Sequence, residues 1–136
     1  MDRPKPGVAL TILALVYVAA AAQSLLKPFL TGATAGFMVL GFRTDGLLEA
    51  IVAPVHAALM FGLAYGIWRL RRYALYFLWV YTPYVLLNLI LFTVRYGWPS
   101  SGGLPAPLVA AIYSLLALGV PGGTAYLLSR RRPELS

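Results

Sequence analysis

Gly46 to Arg72 reads GLLEAIVAPVHAALMFGLAYGIWRLRR. From Leu47 to Trp68 there are 22 residues, and only Glu49 and His56 among them can carry charge. A helix rises ~1.5 Å per residue, so the run is ~33 Å long and matches a hydrocarbon core of ~30 Å. It stops at Arg69, Arg71 and Arg72, side chains that are costly to move through a bilayer and that mark a cytoplasmic loop. This stretch therefore predicts a polytopic all-α membrane protein, and the rest of the chain can be read outward from it.

Composition agrees. Hydrophobic residues make up 60% of the 136 positions and charged residues 11%, against ~45–50% and ~25% in soluble domains. One small core cannot hide that excess, so lipid must solvate much of it. The net charge of +7 would point to nucleic acid in a soluble protein. Here the basic residues end apolar runs, so the charge reads as a topology signal and as contact with lipid headgroups, with no nucleic-acid partner. The absence of cysteine removes disulfides, thiolate chemistry, iron–sulfur clusters and Cys-ligated zinc.

Taken in order, a single transmembrane domain over residues 1–136 is expected, with spans at about 8–26, 47–68, 73–94 and 106–128. MDRPKPG before an apolar run has the outline of a signal peptide, with Ala19 to Ala22 as a small-residue site. Val8 to Leu26 exceeds the usual ~7–15 apolar residues, so the first span is expected to be retained. Lys27 and Pro28 should end it, because proline disfavours helical geometry in the residue before it. The segment at about 29–41, with Gly32, Gly36 and Gly41, is too short to cross and too apolar for open water. It is expected to be interfacial or re-entrant, as in a short helix lying on the membrane. Tyr73, Tyr76, Phe77, Trp79 and Tyr81 read as an aromatic belt. Pro83 should kink the third span, and Pro121, Gly122 and Gly123 should bend or loosen the fourth. Pro133 to Ser136 reads as a short free tail.

Charge counting gives the orientation. With both termini in the cytoplasm, the inner segments hold Arg3, Lys5, Arg69, Arg71, Arg72, Arg130, Arg131 and Arg132, and the outer segments hold only Lys27, Arg43 and Arg95. A five-span arrangement would separate these basic clusters.

The candidate site residues are polar groups inside spans. An intramembrane ionisable residue is a functional hypothesis by default. His56 could be a haem ligand, a proton relay or a neutral strut bonded to a neighbouring helix, and the strut is the expectation. Glu49, seven residues earlier, shares its helical face and should stay hydrated near the outer interface, stabilised by the helix dipole. Gln23, His56, Tyr84, Asn88, Tyr113 and Ser114 all fall in the outer half, Asn88 roughly 9 Å and His56 roughly 13 Å deep at helical rise. They define an outward-facing pocket or ordinary interhelical bonding. Gly32/Gly36, Gly62/Gly66 and Gly119/Gly123 have the Gly-x-x-x-Gly spacing that lets helices approach, with Gly62/Gly66 the best seam.

Phosphate loops, nucleophile elbows, His-x-x-x-His and paired carboxylates are absent, and no catalytic residue, metal site or cofactor is expected. The leading functional expectation is a protein of the plasma or inner membrane that acts by contact, as an accessory or assembly subunit of a larger complex or as a homo-oligomer. Its partners would be the lipid bilayer and other transmembrane helices. A small transporter or channel around His56, with helix breaks at Pro83 and Pro121 to Gly123, is the alternative. A haem- or quinone-associated redox subunit is the third reading.

Overall fold

A computed structural model describes residues 5–30, 37–44, 46–97 and 105–136, with the side chains of all of these except 27, 28 and 30. Four long helices dominate: α1 Val8–Leu30, α2 Gly46–Trp68, α3 Arg72–Tyr96 and α4 Ala106–Arg130. Each is long and apolar enough to cross a membrane. In α2, α3 and α4 the helix continues through an internal proline, Pro54, Pro83 and Pro121 respectively. Residues 121–123, where a bend or looser helix is expected, lie within α4. Pro28 does not end α1, which continues to Leu30. Proline biases the preceding residue without forbidding helix, and the cost is least in a terminal turn.

The helices pair as α1 with α2 and α3 with α4, and the two pairs meet mainly at the end where both termini lie. Arg131 reaches across that end to donate to the Lys5 carbonyl at 3.1 Å. Along α1, Leu10, Ala14, Tyr17, Ala21 and Ser24 form one buried stripe at heptad-like spacing. It faces Ala53, Ala57, Met60, Ala64 and Ile67 of α2. Alanines on both sides let the two backbones approach closely, so this seam relies on fit rather than on bulk. Leu78 and Leu128, both fully buried, bring α3 and α4 onto the same core.

The α2–α3 turn closes this end. Leu70 has φ +51°, its N–H donates to Ile67 O at 3.2 Å, and the Arg71 N–H donates to Gly66 O at 2.8 Å. This paired pattern usually places glycine at the left-handed position. Leucine stands here because its side chain is buried in the core. The expected free tail is in fact docked. After a 3-10 turn at Arg132–Glu134, Leu135 is buried, Ser136 N–H donates to Leu70 O, and Arg72 N–H donates to Ser136 O, both at 3.0 Å. The α2–α3 turn leaves backbone groups unpaired, and the tail satisfies two of them while covering an apolar side chain.

A β-hairpin occupies the other end, β1 Met38–Val39 and β2 Phe42–Arg43, pairing Met38 with Arg43 and Val39 with Phe42. Of the forms open to this interfacial or re-entrant segment, residues 37–44 take a hairpin and not a short helix. Leu40 at φ 50° and Gly41 at φ 74° make a two-residue turn with both φ angles positive, the type whose twist matches the strands. Gly41 is also required by space, since a Cβ there would lie 2.5 Å from Leu91 Cβ of α3.

Candidate functional site

The site is built around His56, about 15 Å along α2 from its first residue at helical rise. Its Nδ1 lies 2.9 Å from Ser24 Oγ of α1 and its Nε2 lies 3.4 Å from the Tyr81 hydroxyl of α3. Ser24 donates its single proton to the Ala20 carbonyl at 2.8 Å. With Ser24 donating to Ala20, the matching tautomer has Nδ1–H donating to Ser24 Oγ and Nε2 accepting from Tyr81. A neutral imidazole fits this arrangement, and the Tyr81 bond is at the long end of the useful range. The Phe37 ring, at the start of the hairpin, tilts against the imidazole at 5.5 Å between centroids. One side chain thus touches α1, α3 and the hairpin.

Tyr81 is the second centre. Expected in an interfacial belt, it is instead half-buried, stacked on Phe77 at 5.5 Å and tilted against Tyr84 at 6.3 Å. Tyr17, Tyr84 and Tyr113 are among its neighbours. Further toward the termini, the Tyr17 hydroxyl reaches Thr124 Oγ1 at 3.4 Å and links α1 to α4.

The other candidates scatter. Asn88 faces the hairpin: it accepts from Gly41 N–H at 2.8 Å and donates to Met38 O at 2.9 Å. A primary amide supplies one acceptor and two donors, so it can hold a turn by its backbone. Arg95 adds a second hold, its guanidinium carbon 4.0 Å from the Phe42 ring centroid. Gln23 is exposed on α1, Ser114 is half-buried on α4, and Tyr113 is 45% exposed. Glu49 corrects the sequence reading: it is only 5% exposed rather than hydrated, and its Oε1 is buried without a hydrogen-bond partner among the described residues.

The glycine pairs are also redistributed. A Cβ at Gly62, Gly119 or Gly123 would meet nothing within 4 Å among the described residues. Gly66 instead makes room for the Tyr73 ring, which a Cβ would approach to 2.8 Å, while the Tyr73 hydroxyl donates to Gly62 O at 2.7 Å. Gly62 and Gly66 thus receive Tyr73 of α3, Gly119 and Gly123 meet no neighbouring helix among the described residues, and the close α1–α2 approach is made by alanines. Gly32 and Gly36 lie outside the described residues.

Sequence reading missed Ser24, Tyr81 and Phe37 as partners of His56. The available signal was Ser24, seven residues after Tyr17 and so on the same helical face. Chemically, the cluster joins helices. Ser24 Oγ lies within hydrogen-bond reach of both the Ala20 carbonyl and the imidazole, at 2.8 and 2.9 Å. Among the described residues no three of His, Cys, Asp and Glu gather as a metal-binding group. Comparison with known proteins finds no matching family model, curated protein or solved structure.

Proposed function

We propose that this multi-pass protein acts by contact in a plasma or inner membrane, as an accessory or assembly subunit or as a homo-oligomer, with both termini cytoplasmic. The observation that carries this reading is the bare outer half of α3 and α4. No residue described between 79 and 120 is fully buried, and exposed Trp79, Val80, Ile90, Val94, Leu115 and Leu116 lie there. Gly119 and Gly123 add an unfilled small-residue face on α4, a surface suited to close approach by another helix. The polar groups meanwhile are spent on internal bonds: His56 on Ser24 and Tyr81, and Asn88 on the hairpin. The orientation rests on the clustered arginines at the end that holds the termini.

The absence of native cysteine makes the test direct. Single cysteines at Leu115 or Gly119 should cross-link to a second copy or to another membrane subunit in native membranes, and one at Ile12 should not. Equal cross-linking at all three positions, or none, would remove the contact reading. Cysteines at Tyr96 and Ser136 should label from opposite sides of the membrane, Ser136 from the cytoplasm.

Glu49 favours a second reading, a small transporter or channel. A buried carboxylate oxygen without a partner among the described residues is costly, and transported protons or cations would use such a group. Liposome flux that Glu49→Gln abolishes would support it over the contact reading.

A further inference from the structure

The end of the molecule that holds the termini carries a feature that contact between spans does not use. A cavity of about 300 Å³ is lined by Arg72, Leu75 and Tyr76 of α3 and by Arg132 and Leu135 of the C-terminal segment. It exists because the tail is docked: Leu135 supplies one wall, and its carbonyl accepts from Arg72 Nε at 3.1 Å. That bond uses one N–H of the Arg72 guanidinium, and its two terminal nitrogens make no hydrogen bond among the described residues. The Arg132 guanidinium makes no ion pair or hydrogen bond among the described residues. The neighbouring carboxylate, Glu134, is already taken by Arg131 at 3.7 Å. Two arginines and a tyrosine thus line one cavity, beside two leucines.

We infer that this cavity binds the phosphate of an anionic phospholipid headgroup. Arginine presents paired N–H donors that match phosphate oxygens, and two arginines suit a phosphodiester better than a single carboxylate. The leucines give the glycerol and first acyl carbons an apolar wall. The position fits as well. The cavity spans the first turn of α3 and the segment after α4, so on the proposed membrane placement it lies at headgroup level, where basic pockets at helix ends meet anionic lipid. The inference rests on that placement. The other arginines of this end are engaged differently: Arg69 lies over the Tyr65 ring at 5.7 Å and Arg130 over the Tyr126 ring at 5.2 Å. They carry the same charge without the cavity, which makes them the natural control.

The test titrates the purified full chain, in non-ionic detergent, with short-chain phosphatidylglycerol, short-chain phosphatidylcholine and inorganic phosphate, following thermal unfolding. Phosphatidylglycerol should stabilise the protein, and phosphatidylcholine and inorganic phosphate should do so only at far higher concentration. Arg132→Gln, which breaks no bond described here, should weaken the phosphatidylglycerol effect about fivefold, and Arg72→Gln with Arg132→Gln roughly 20- to 30-fold. Arg69→Gln with Arg130→Gln should change it less than about twofold. Equal losses in the two double variants would reduce the effect to diffuse charge and overturn the site. Phosphatidylcholine matching phosphatidylglycerol would overturn it too. Inorganic phosphate matching the lipid would reassign the cavity to free phosphate. Flotation with phosphatidylcholine vesicles separates the premises: a chain that floats but ignores phosphatidylglycerol loses only the cavity assignment, and a chain that does not float loses the membrane placement.

Discussion

The two ends of this molecule are held by different means. At the end with the termini, all four helices share a core in which Ile67, Leu70, Leu78 and Leu128 are almost wholly inaccessible, and the tail adds Leu135. At the other end α3 and α4 contribute no fully buried residue, and the hairpin is held by Asn88, Arg95 and the ring contact with His56. Only 11% of the apolar window of α3 is buried, against 33% for α2. In water such an asymmetry would be unstable. In a bilayer it costs little, because lipid tails are as apolar as leucine and helix association relies on packing and polar links. The difference teaches where each half gets its order: the closed end from fit within the chain, the open end from a few polar bonds and from whatever surrounds it.

The largest expected effect would come from a cavity at the closed end. Leu78→Ala removes a fully buried side chain and should destabilise by about 2–4 kcal/mol, mostly as lost packing. Leu115→Ala, at a position 73% exposed, should change stability by less than about 0.5 kcal/mol in detergent. Unfolding titrations on the two variants compare the ends directly. Similar losses would mean that α4 is packed where the structure shows it bare.

The four spans were legible in the sequence, the contrast between the two ends was not, and the reasons are physical. Length and apolarity are enough to find four spans, because a helix must be ~20 residues long to cross. The segment after α1 was recognisable as too short to span, but not as a hairpin. Met38, Val39, Phe42 and Arg43 show no alternation of polarity, and the only turn signal is Leu40–Gly41. Asn88 was legible as an important polar residue, yet its partners are backbone groups, which no side-chain pattern reveals. Glycine spacing drew attention away from Ala14, Ala21, Ala53, Ala57 and Ala64, which form the actual close approach. The buried state of Glu49 depends on what folds over the first turn of α2, and local sequence is silent on that.

His56 joins the two ends, so its substitution should have an intermediate effect. His56→Leu removes the group that meets Ser24 and Tyr81 and should cost about 1–3 kcal/mol by leaving partners unpaired. His56→Gln should recover most of that, since an amide offers both a donor and an acceptor at similar reach. The measurement is unfolding midpoint alongside complex formation. If His56→Gln stays folded yet loses function, the imidazole is doing chemistry that an amide cannot do, and the cluster with Tyr81, Tyr84 and Tyr113 becomes the reacting site.

The smallest effect separates the ends most cleanly, because each has one leucine in the left-handed region: Leu40 at φ 50° in the hairpin turn and Leu70 at φ 51° after α2. Glycine at either position relieves about 1 kcal/mol of backbone strain. At Leu40 the side chain is 51% exposed, so little packing is lost, and Leu40→Gly should stabilise the hairpin by up to about 1 kcal/mol. At Leu70 the side chain is 1% exposed, so the same change also opens a cavity and should be net destabilising. Alanine isolates the strain there. Leu70→Ala opens nearly the same cavity and keeps the strained φ, so Leu70→Gly should be the more stable of the two by about 1 kcal/mol, reversing the usual order of alanine over glycine. Thermal unfolding of the three variants reads this directly. Alanine proving better than glycine at position 70 would mean that the turn relaxes out of the left-handed region, and the paired bonds to Gly66 and Ile67 could not then be what closes this end.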